Sequence, residues 1–225
     1  MTRGPTATSR RMLWACAILG GCFLLESILV TTGTARIADR EVAEFFQSFW
    51  FPPLRGTLDC FSELGSSVVT GLLAIGLFVY LRRTGFENEA WAVLVLPMAI
   101  IIEVIYKQLV FQPAPGLTVS HPDGPSLLGF LPFLRGFASS PFPSGHMVRT
   151  VIVYGLIGFV VRRLAPPGPA ARLAMPVALA LIVLMGLDRL YLGVHWQSDV
   201  FGGLFLGGVG LAAAIAWLEQ PWRRT

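Results

Sequence analysis

Six long apolar runs constrain this chain more than any other feature of its sequence. They are joined by mostly short connections and fall at residues 12–32, 64–81, 90–111, 146–161, 173–192 and 198–218. A run of about 20 apolar residues can cross the hydrocarbon core of a bilayer as a helix. Of the 225 residues, 54% are hydrophobic and 13% are charged, which is typical of a polytopic membrane protein. The sequence therefore predicts an all-α, six-transmembrane-helix bundle, with residues 1–225 forming a single membrane-embedded domain.

The basic residues predict the orientation of this bundle. The net charge of +4 can suggest nucleic acid, but the arginines flank the apolar runs as topology signals and do not form a patch. With the N-terminus in the cytoplasm, ten of the 17 basic residues fall on that side: Arg3, Arg10, Arg11, Arg82, Arg83, Arg162, Arg163, Arg172, Arg223 and Arg224. The positive-inside rule then places both termini in the cytoplasm. We expect a multi-pass protein of the cell membrane, in contact with lipid and with no nucleic-acid partner.

Two segments outside the runs are expected on the outer side. Residues 37–51 have apolar side chains at helical spacing, opposite a polar face that includes Asp39. An amphipathic helix of this kind either lies in the headgroup plane or packs as a cap on the bundle. Residues 112–143, with the apolar insert 126–134, are too rich in proline to span, and we expect them to fold over the outer face.

Gly203 and Gly207 form a G-x-x-x-G pattern in the sixth run. Small residues at this spacing let two helix backbones approach closely in a membrane. The pattern predicts close packing either within the bundle or between the subunits of a homo-oligomer.

The candidate chemistry lies between the last two runs, in the stretch from Asp188 to Asp199. Charged groups at the edge of hydrocarbon are costly unless they pair or bind something, so they are functional candidates. With Gly193 in a turn, His195 lies at a helix entrance and Asp199 lies one turn later on the same face. The aspartate can then hold one imidazole nitrogen and leave the other available as a base or nucleophile. Arg189 offers a planar fork of donors suited to phosphate or carboxylate. The alternative is a snorkelling arginine beside an interfacial histidine.

A second constellation stands at the start of the fourth run, where the chain reads Pro-Phe-Pro-Ser-Gly-His and ends in Ser144, Gly145 and His146. Unpaired N–H groups at such a helix entrance can receive an anion, and the histidine can give a proton to a departing oxygen. An ordinary helix cap is the alternative. Lys107, the only lysine in the chain, lies at the end of the third run. A lone lysine in a chain that otherwise uses arginine suggests that a compact ammonium is needed at this position. The alternative is that its being the only lysine is chance.

Taken together, these residues resemble the tripartite signature of the type 2 phosphatidic acid phosphatase superfamily. The pattern is K-x6-R-P, then P-S-G-H, then S-R-x5-H-x3-D; here the second block is complete, and the third keeps the spacing of Arg189, His195 and Asp199. The resemblance implies that His195 is the nucleophile, oriented by Asp199, and that His146 is the general acid and later the base. It also implies that Lys107, Ser144, Gly145 and Arg189 bind the phosphoryl oxygens, with no metal and no cofactor.

Two positions depart from the pattern, because Ala114 replaces an arginine and Asp188 replaces a serine. Arg149 lies one turn after His146 on the same helix face and is the one arginine inside an apolar run, so it needs an anionic partner. We hypothesise that Arg149 replaces the cation lost at position 114 and that Asp188 holds it or contacts a substrate hydroxyl. The alternative is a purely structural Arg149–Asp188 pair.

The sequence thus predicts an integral membrane enzyme with an outward-facing site, which hydrolyses lipid-linked phosphate or diphosphate through a phosphohistidine. Its substrate is of the phosphatidate or isoprenoid type. Two alternatives stay open: a phosphotransferase on the same scaffold, and a degenerate member that binds phospholipid without hydrolysing it.

Overall fold

The computed structural model describes residues 6–115 and 140–219, and within these ranges the chain is helical and has no β-strand. The helices are α1 (Ala7–Thr31), α2 (Arg36–Ser48), α3 (Arg55–Ser62), α4 (Ser67–Arg83), α5 (Glu87–Ala90), α6 (Val95–Leu109), α7 (Gly145–Leu164), α8 (Pro169–Tyr191) and α9 (Gln197–Leu218). Short 3-10 turns at Pro52–Leu54, Glu63–Gly65 and Trp91–Leu94 precede α3, α4 and α6. The all-α prediction is confirmed for the described residues. The insert 126–134 lies outside them.

The described helices include four that are long and apolar enough to cross a bilayer: α1, the segment Trp91–Leu109, α8 and α9. A fifth candidate is a bent pair, in which Pro52–Gly65 continues into Ser67–Arg83 at an angle of 40°. The predicted fourth span forms helix α7, which is not in this group although it has 20 residues. The described part of the chain therefore shows four or five candidate spans, and the predicted count of six is not confirmed.

Helix α7 lies at the centre of the bundle, packed against α4, α6, α8 and α9. Its contact with α9 is close because α9 presents glycines there. A Cβ atom at Gly203 would lie 2.5 Å from the carbonyl oxygen of Ser144, and one at Gly207 would lie 2.8 Å from Cβ of Val151. Both distances are too short for any side chain. The G-x-x-x-G pattern is thus used within the bundle, and it brings the entrances of α7 and α9 together.

The two ends of the described chain meet at the opposite end of the bundle. The hydroxyl of Thr6, just before α1, donates to the carbonyl oxygen of Glu219, just after α9, at 3.0 Å. Arg163, in the last turn of α7, pairs there with Glu219 at 3.2 Å and with Glu89 at 3.7 Å. Since His146 is at the other end of α7, it lies at the opposite end of the bundle from Thr6 and Glu219.

Helix α2 confirms the predicted amphipathic segment, and one residue of its polar face is buried against the bundle. Asp39 was expected on the polar face, opposite the apolar side chains, and it is 2% exposed and turned toward α9. Large apolar side chains are instead exposed, including Ile37 at 75% and Phe49 at 62%. A helix with an exposed apolar face suits a lipid surface, because the headgroup boundary accepts aromatic and aliphatic side chains. In this helix an acid is buried against the bundle while apolar groups face outward.

The break in the bent pair is stabilised by α7. Between α3 and α4, carbonyl groups of the turn Glu63–Gly65 have no partner within a continuous helix. Arg149 Nε donates to the carbonyl oxygen of Gly65 at 3.1 Å, and the hydroxyl of Tyr154 donates to that of Leu64 at 2.9 Å. Irregular backbone at membrane depth is tolerated where protein groups satisfy it. The bent pair is therefore fixed against α7 close to His146.

Candidate active site

His195 and Asp199 meet at the entrance of α9, as the sequence predicts. The chain leaves α8 at Tyr191 and turns through Gly193, whose φ of 65° lies in the left-handed region that favours glycine. His195 Nδ1 lies 3.3 Å from Asp199 Oδ2, and both side chains are buried. The same carboxylate oxygen accepts the backbone N–H of Trp196 at 2.8 Å, which fixes it in the first turn of the helix. With Nδ1 held by the aspartate, Nε2 is the imidazole nitrogen suited to nucleophilic attack.

Ser144, Gly145 and His146 form the entrance of α7, next to this pair. The backbone N–H of Ser144 donates to the carbonyl oxygen of Asp199 at 2.9 Å, so one hydrogen bond joins the two motifs. The Ser144 hydroxyl is fully buried and has no hydrogen-bond partner within residues 6–115 and 140–219. A buried hydroxyl without a partner is costly, so its position fits the expected contact with a phosphoryl oxygen.

Lys107 lies in the last turn of α6 and reaches the segment that leads into this entrance. Its ammonium donates to the carbonyl oxygens of Ser140 at 3.1 Å and Pro141 at 3.4 Å, and it lies 4.0 Å from the carboxylate of Glu103. In this structure the lysine thus stabilises the chain that presents Ser144. Its contact with a phosphoryl oxygen stays a prediction.

Arg149 does not pair with Asp188, and the prediction of that ion pair is wrong. The Arg149 guanidinium lies 3.5 Å from the Glu103 carboxylate and bonds the carbonyl oxygen of Gly65. Glu103 is 4% exposed and lies on α6, which packs against α7. The position of α6 along α7 therefore places this acid, and not Asp188, next to Arg149. Ala114 is exposed in the extended segment after α6. The idea that Arg149 supplies the phosphate contact missing at that position stays a prediction.

Asp188 is paired instead with its neighbour Arg189. Its Oδ2 accepts from Arg189 Nη2 at 2.7 Å and from Nε at 2.9 Å, and it also accepts the hydroxyl of Ser62 at 2.8 Å. Arg189 and Asp188 are each 2% exposed. The charge of the unexpected carboxylate is therefore balanced inside the site, and the same contacts fix the guanidinium in place.

Gly145 is required by this arrangement. A Cβ atom there would collide with the carboxylate of Glu103, and it would lie 2.7 Å from Arg149 Nη1. The buried ion pair is thus packed directly against the backbone of the Ser-Gly-His entrance. Any side chain at this position would displace either the ion pair or the start of α7.

Sequence reasoning missed a polar network behind His195. Asp39 Oδ1 accepts the backbone N–H of Ser198 at 2.9 Å, and its Oδ2 accepts the Ser198 hydroxyl at 2.8 Å and Gln112 Nε2 at 3.3 Å. Burial raises the pKa of Asp39, and Asp199 adds to this, while the hydrogen bonds oppose it. The network anchors α2 to the first turn of α9.

No sequence signal distinguishes Asp39 from the other polar residues of its segment. Ser62 was missed because the bend at residues 63–66 breaks the apolar pattern.

The described residues contain no group of three or more histidine, cysteine, aspartate or glutamate side chains placed to hold a metal ion. The positive charge that these described residues bring to the site belongs to Lys107, Arg149 and Arg189. Whether the reaction proceeds without a metal stays a prediction, tested below.

The all-helical bundle brings two histidines, a lysine and an arginine to one end, and groups of these types can bind and transfer a phosphoryl group. Residues 88–223 match the family model described as the PAP2 superfamily, and the chain belongs to that superfamily.

Among curated proteins, phosphatidylglycerophosphatase B of Bacillus subtilis strain 168 is 28% identical over 190 residues, which cover 82% of this chain and 85% of the relative. A protein of Escherichia coli K12, provisionally named undecaprenyl-diphosphatase YbjG, is 36% identical over 86 residues, or 38% of this chain and 39% of the relative. The crystal structure of a transmembrane PAP2-type phosphatidylglycerolphosphate phosphatase from Bacillus subtilis superposes with a TM-score of 0.76 at 22% identity. It covers 94% of this chain and 100% of its own, and this likeness supports the fold. The predicted family and membrane class are confirmed.

Proposed function

We propose that this chain hydrolyses lipid-linked phosphate or diphosphate through a phosphohistidine formed on His195, without a metal ion. Membership of the PAP2 superfamily and relatives named as lipid phosphatases support phosphatase activity in general. The geometry supports the finer assignment of roles.

The reaction has two steps, and His195 and His146 take part in both. His195 Nε2 attacks the phosphorus, a P–N bond forms, and the bond to the lipid oxygen breaks as His146 gives that oxygen a proton. His146 then removes a proton from water, the hydroxide attacks the phosphorus, and the P–N bond breaks to release inorganic phosphate. Lys107, Arg189 and the N–H of Gly145 oppose the charge that spreads over the equatorial oxygens.

One observation carries the proposal, namely the hydrogen bond from the Ser144 N–H to the Asp199 carbonyl oxygen. Residues 55 positions apart in the chain, Ser144 and Asp199, are joined directly, so the entrances of α7 and α9 lie side by side. This supports the proposal that His195 and His146, which belong to these two entrances, act on the same phosphoryl group. A binder of phospholipid would need the cations but not the oriented histidine, and therefore the His195–Asp199 contact favours the enzyme.

The test uses purified protein, chelator, and a panel of lipid phosphates, with inorganic phosphate release as the readout. His195→Ala and His146→Ala each abolish release while the melting temperature stays within a few degrees of the wild type. A substrate with an activated leaving group, labelled with radioactive phosphate, separates the two roles. His146→Ala then accumulates an acid-labile phosphoprotein, and His195→Ala forms none. Near-normal turnover by His195→Ala would disprove the mechanism, and transfer of label to an alcohol without free phosphate would favour the phosphotransferase.

We also propose that the site faces outward, with both termini in the cytoplasm. The proposal is supported by the hydrogen bond between Thr6 and Glu219 and by the arginines that end α4 and α7, far from His146. Gly168, in the turn before α8, should then lie on the cytoplasmic side. Labelling of Gly168→Cys by an impermeant thiol reagent in intact cells, in a background without native cysteines, would overturn this orientation.

A further inference from the structure

A cavity of about 290 Å³ lies beside the nucleophile and plays no part in the mechanism described above. It is bounded by the end of α1, the first turns of α2 and the extended segment after α6; lining residues include Val30, Arg36, Asp39, Arg40, Gln112 and Trp196. A volume at the small end of the usual range for ligand pockets suits a headgroup and not an acyl chain.

The cavity and the catalytic pair share a wall. Trp196 is the residue after His195, and its indole N–H donates to the carbonyl oxygen of Pro113 at 2.8 Å, which closes one side of the cavity. Asp39 and Gln112 form part of its lining and bond Ser198, in the first turn of the helix that carries Asp199. A group held in the cavity would therefore lie next to the helix entrance that carries His195. It can belong to the same substrate molecule as a phosphoryl group at His195.

The charge of the cavity is suited to an anion. Arg36 and Arg40 lie one turn apart on α2 and are exposed, and neither forms an ion pair with a described residue. Arg10, Arg11, Arg83, Arg162 and Arg172 are also exposed without an ion pair to a described residue, but none of them lines this cavity. Arg36 is the first residue of α2, where a cation is opposed by the helix dipole unless an anion is bound nearby.

Among the described residues of the lining, Asp39 is the only carboxylate, and both of its oxygens are engaged by the α9 entrance and by Gln112. The Asp39 carboxylate is therefore engaged in that network. The guanidinium groups of Arg36 and Arg40 are the other charged groups among the described residues that line the cavity. Bidentate donors of this kind bind phosphate oxygens well.

Building on the proposed function, we infer that this cavity binds a second phosphate of the substrate, held by Arg36 and Arg40. The enzyme then prefers lipids that carry two phosphorus groups over lipids that carry a single phosphate monoester. Two groups of substrates meet this description: those with a phosphodiester inside the headgroup, and diphosphates.

The experiment compares kcat/KM for phosphatidylglycerophosphate, which has a terminal monoester and an internal phosphodiester, with kcat/KM for phosphatidate, which has only the monoester. Both are presented in micelles of a neutral detergent. The double variant Arg36→Ala/Arg40→Ala lowers the ratio of the two values at least tenfold, mainly by raising KM for the first lipid. Arg55→Ala, an exposed arginine of α3 outside the cavity, leaves the ratio unchanged. For Arg36→Lys/Arg40→Lys we expect a ratio between that of the double alanine variant and that of the wild type, because the charge is kept and the bidentate geometry is lost.

Each other outcome has a defined meaning. If the double variant leaves the ratio unchanged, the inference is overturned. If the rates on both lipids fall together, and added phosphatidylglycerol removes the difference between variant and wild type, the arginines bind bulk anionic lipid and the inference is again overturned. If the wild-type protein releases phosphate from neither lipid nor from an isoprenyl diphosphate, the proposed function fails first.

Discussion

Replacing Glu103 by alanine tests how the cations around the Ser-Gly-His entrance are held. The Glu103 carboxylate lies 3.5 Å from Arg149 and 4.0 Å from Lys107, and the three side chains are 5%, 9% and 11% exposed. Removing the anion leaves two buried cations facing each other with no carboxylate between them. Breaking a buried ion pair by deleting one partner costs about 3–5 kcal/mol, because the remaining charge stays desolvated.

A graded series makes the reasoning sharper. Glu103→Gln keeps the shape and a hydrogen-bond acceptor, so we expect a smaller loss, about 1–3 kcal/mol. The double variant Glu103→Leu/Arg149→Met removes both members of the pair and should recover much of the stability lost in Glu103→Ala. Glu87→Ala is the control, since its pair with Arg82 is shorter, 3.0 Å, but exposed, and should cost less than about 1 kcal/mol.

The assay is reversible unfolding in mixed micelles, followed by tryptophan fluorescence, with kcat measured on the same samples. We expect the order of stability to be wild type, Glu103→Gln and then Glu103→Ala, with a fall in kcat as Lys107 and Gly145 lose their support. If Glu103→Ala is as stable as Glu87→Ala, the buried ion pair does not hold the site together. If the double variant is less stable than Glu103→Ala, the desolvation argument is wrong.

Three further predictions concern the same end of the bundle. Gly145→Ala should lower kcat by on the order of 10²-fold, because the added methyl displaces Glu103 or the start of α7, whereas Gly71→Ala on α4, where a Cβ meets nothing within 4 Å, should not. Burial raises the pKa of Asp39, so the folded wild type loses stability as this carboxyl ionises above about pH 4. Asn cannot ionise, so the melting temperature of Asp39→Asn minus that of the wild type should increase between pH 4 and pH 7. A melting difference that is constant with pH would contradict this. Chelator should leave phosphate release intact and vanadate should inhibit it; loss of activity in EDTA that a divalent ion restores would count against the metal-independent mechanism.

The sequence predicts the helices and the contact between His195 and Asp199 well because both depend on local spacing. Apolar runs mark α1, α4, α6, α8 and α9 to within a few residues, and α7 begins at the predicted entrance. The contact between His195 and Asp199 follows from one helical turn, so it requires no knowledge of the tertiary structure.

Partners across helices were not predictable in this way. Both Glu103 and Asp188 were available to Arg149, and the choice depends on the axial offsets of α6 and α8 against α7, which no local pattern encodes. The burial of Asp39 was not predicted, because the amphipathic pattern of its segment does not tell which face packs against the bundle. At a lipid surface apolar groups can remain exposed, and an acid can turn inward to anchor a neighbouring helix.

The backbone contact at Gly203 and Gly207 has a consequence for how such an enzyme can diversify. The separation between His146 and His195 depends on main-chain packing of α7 against α9, which leaves no room for adjustment by side-chain substitution. The proposed second phosphate site is on α2, a peripheral helix joined to this pair through Ser198 and Gln112. Mutations in α2 can therefore change the headgroup preference while the packing of α7 against α9, and with it the separation of His146 and His195, stays the same. In a library of variants, changes of selectivity should map to α2, and losses of all activity should map to the two glycines.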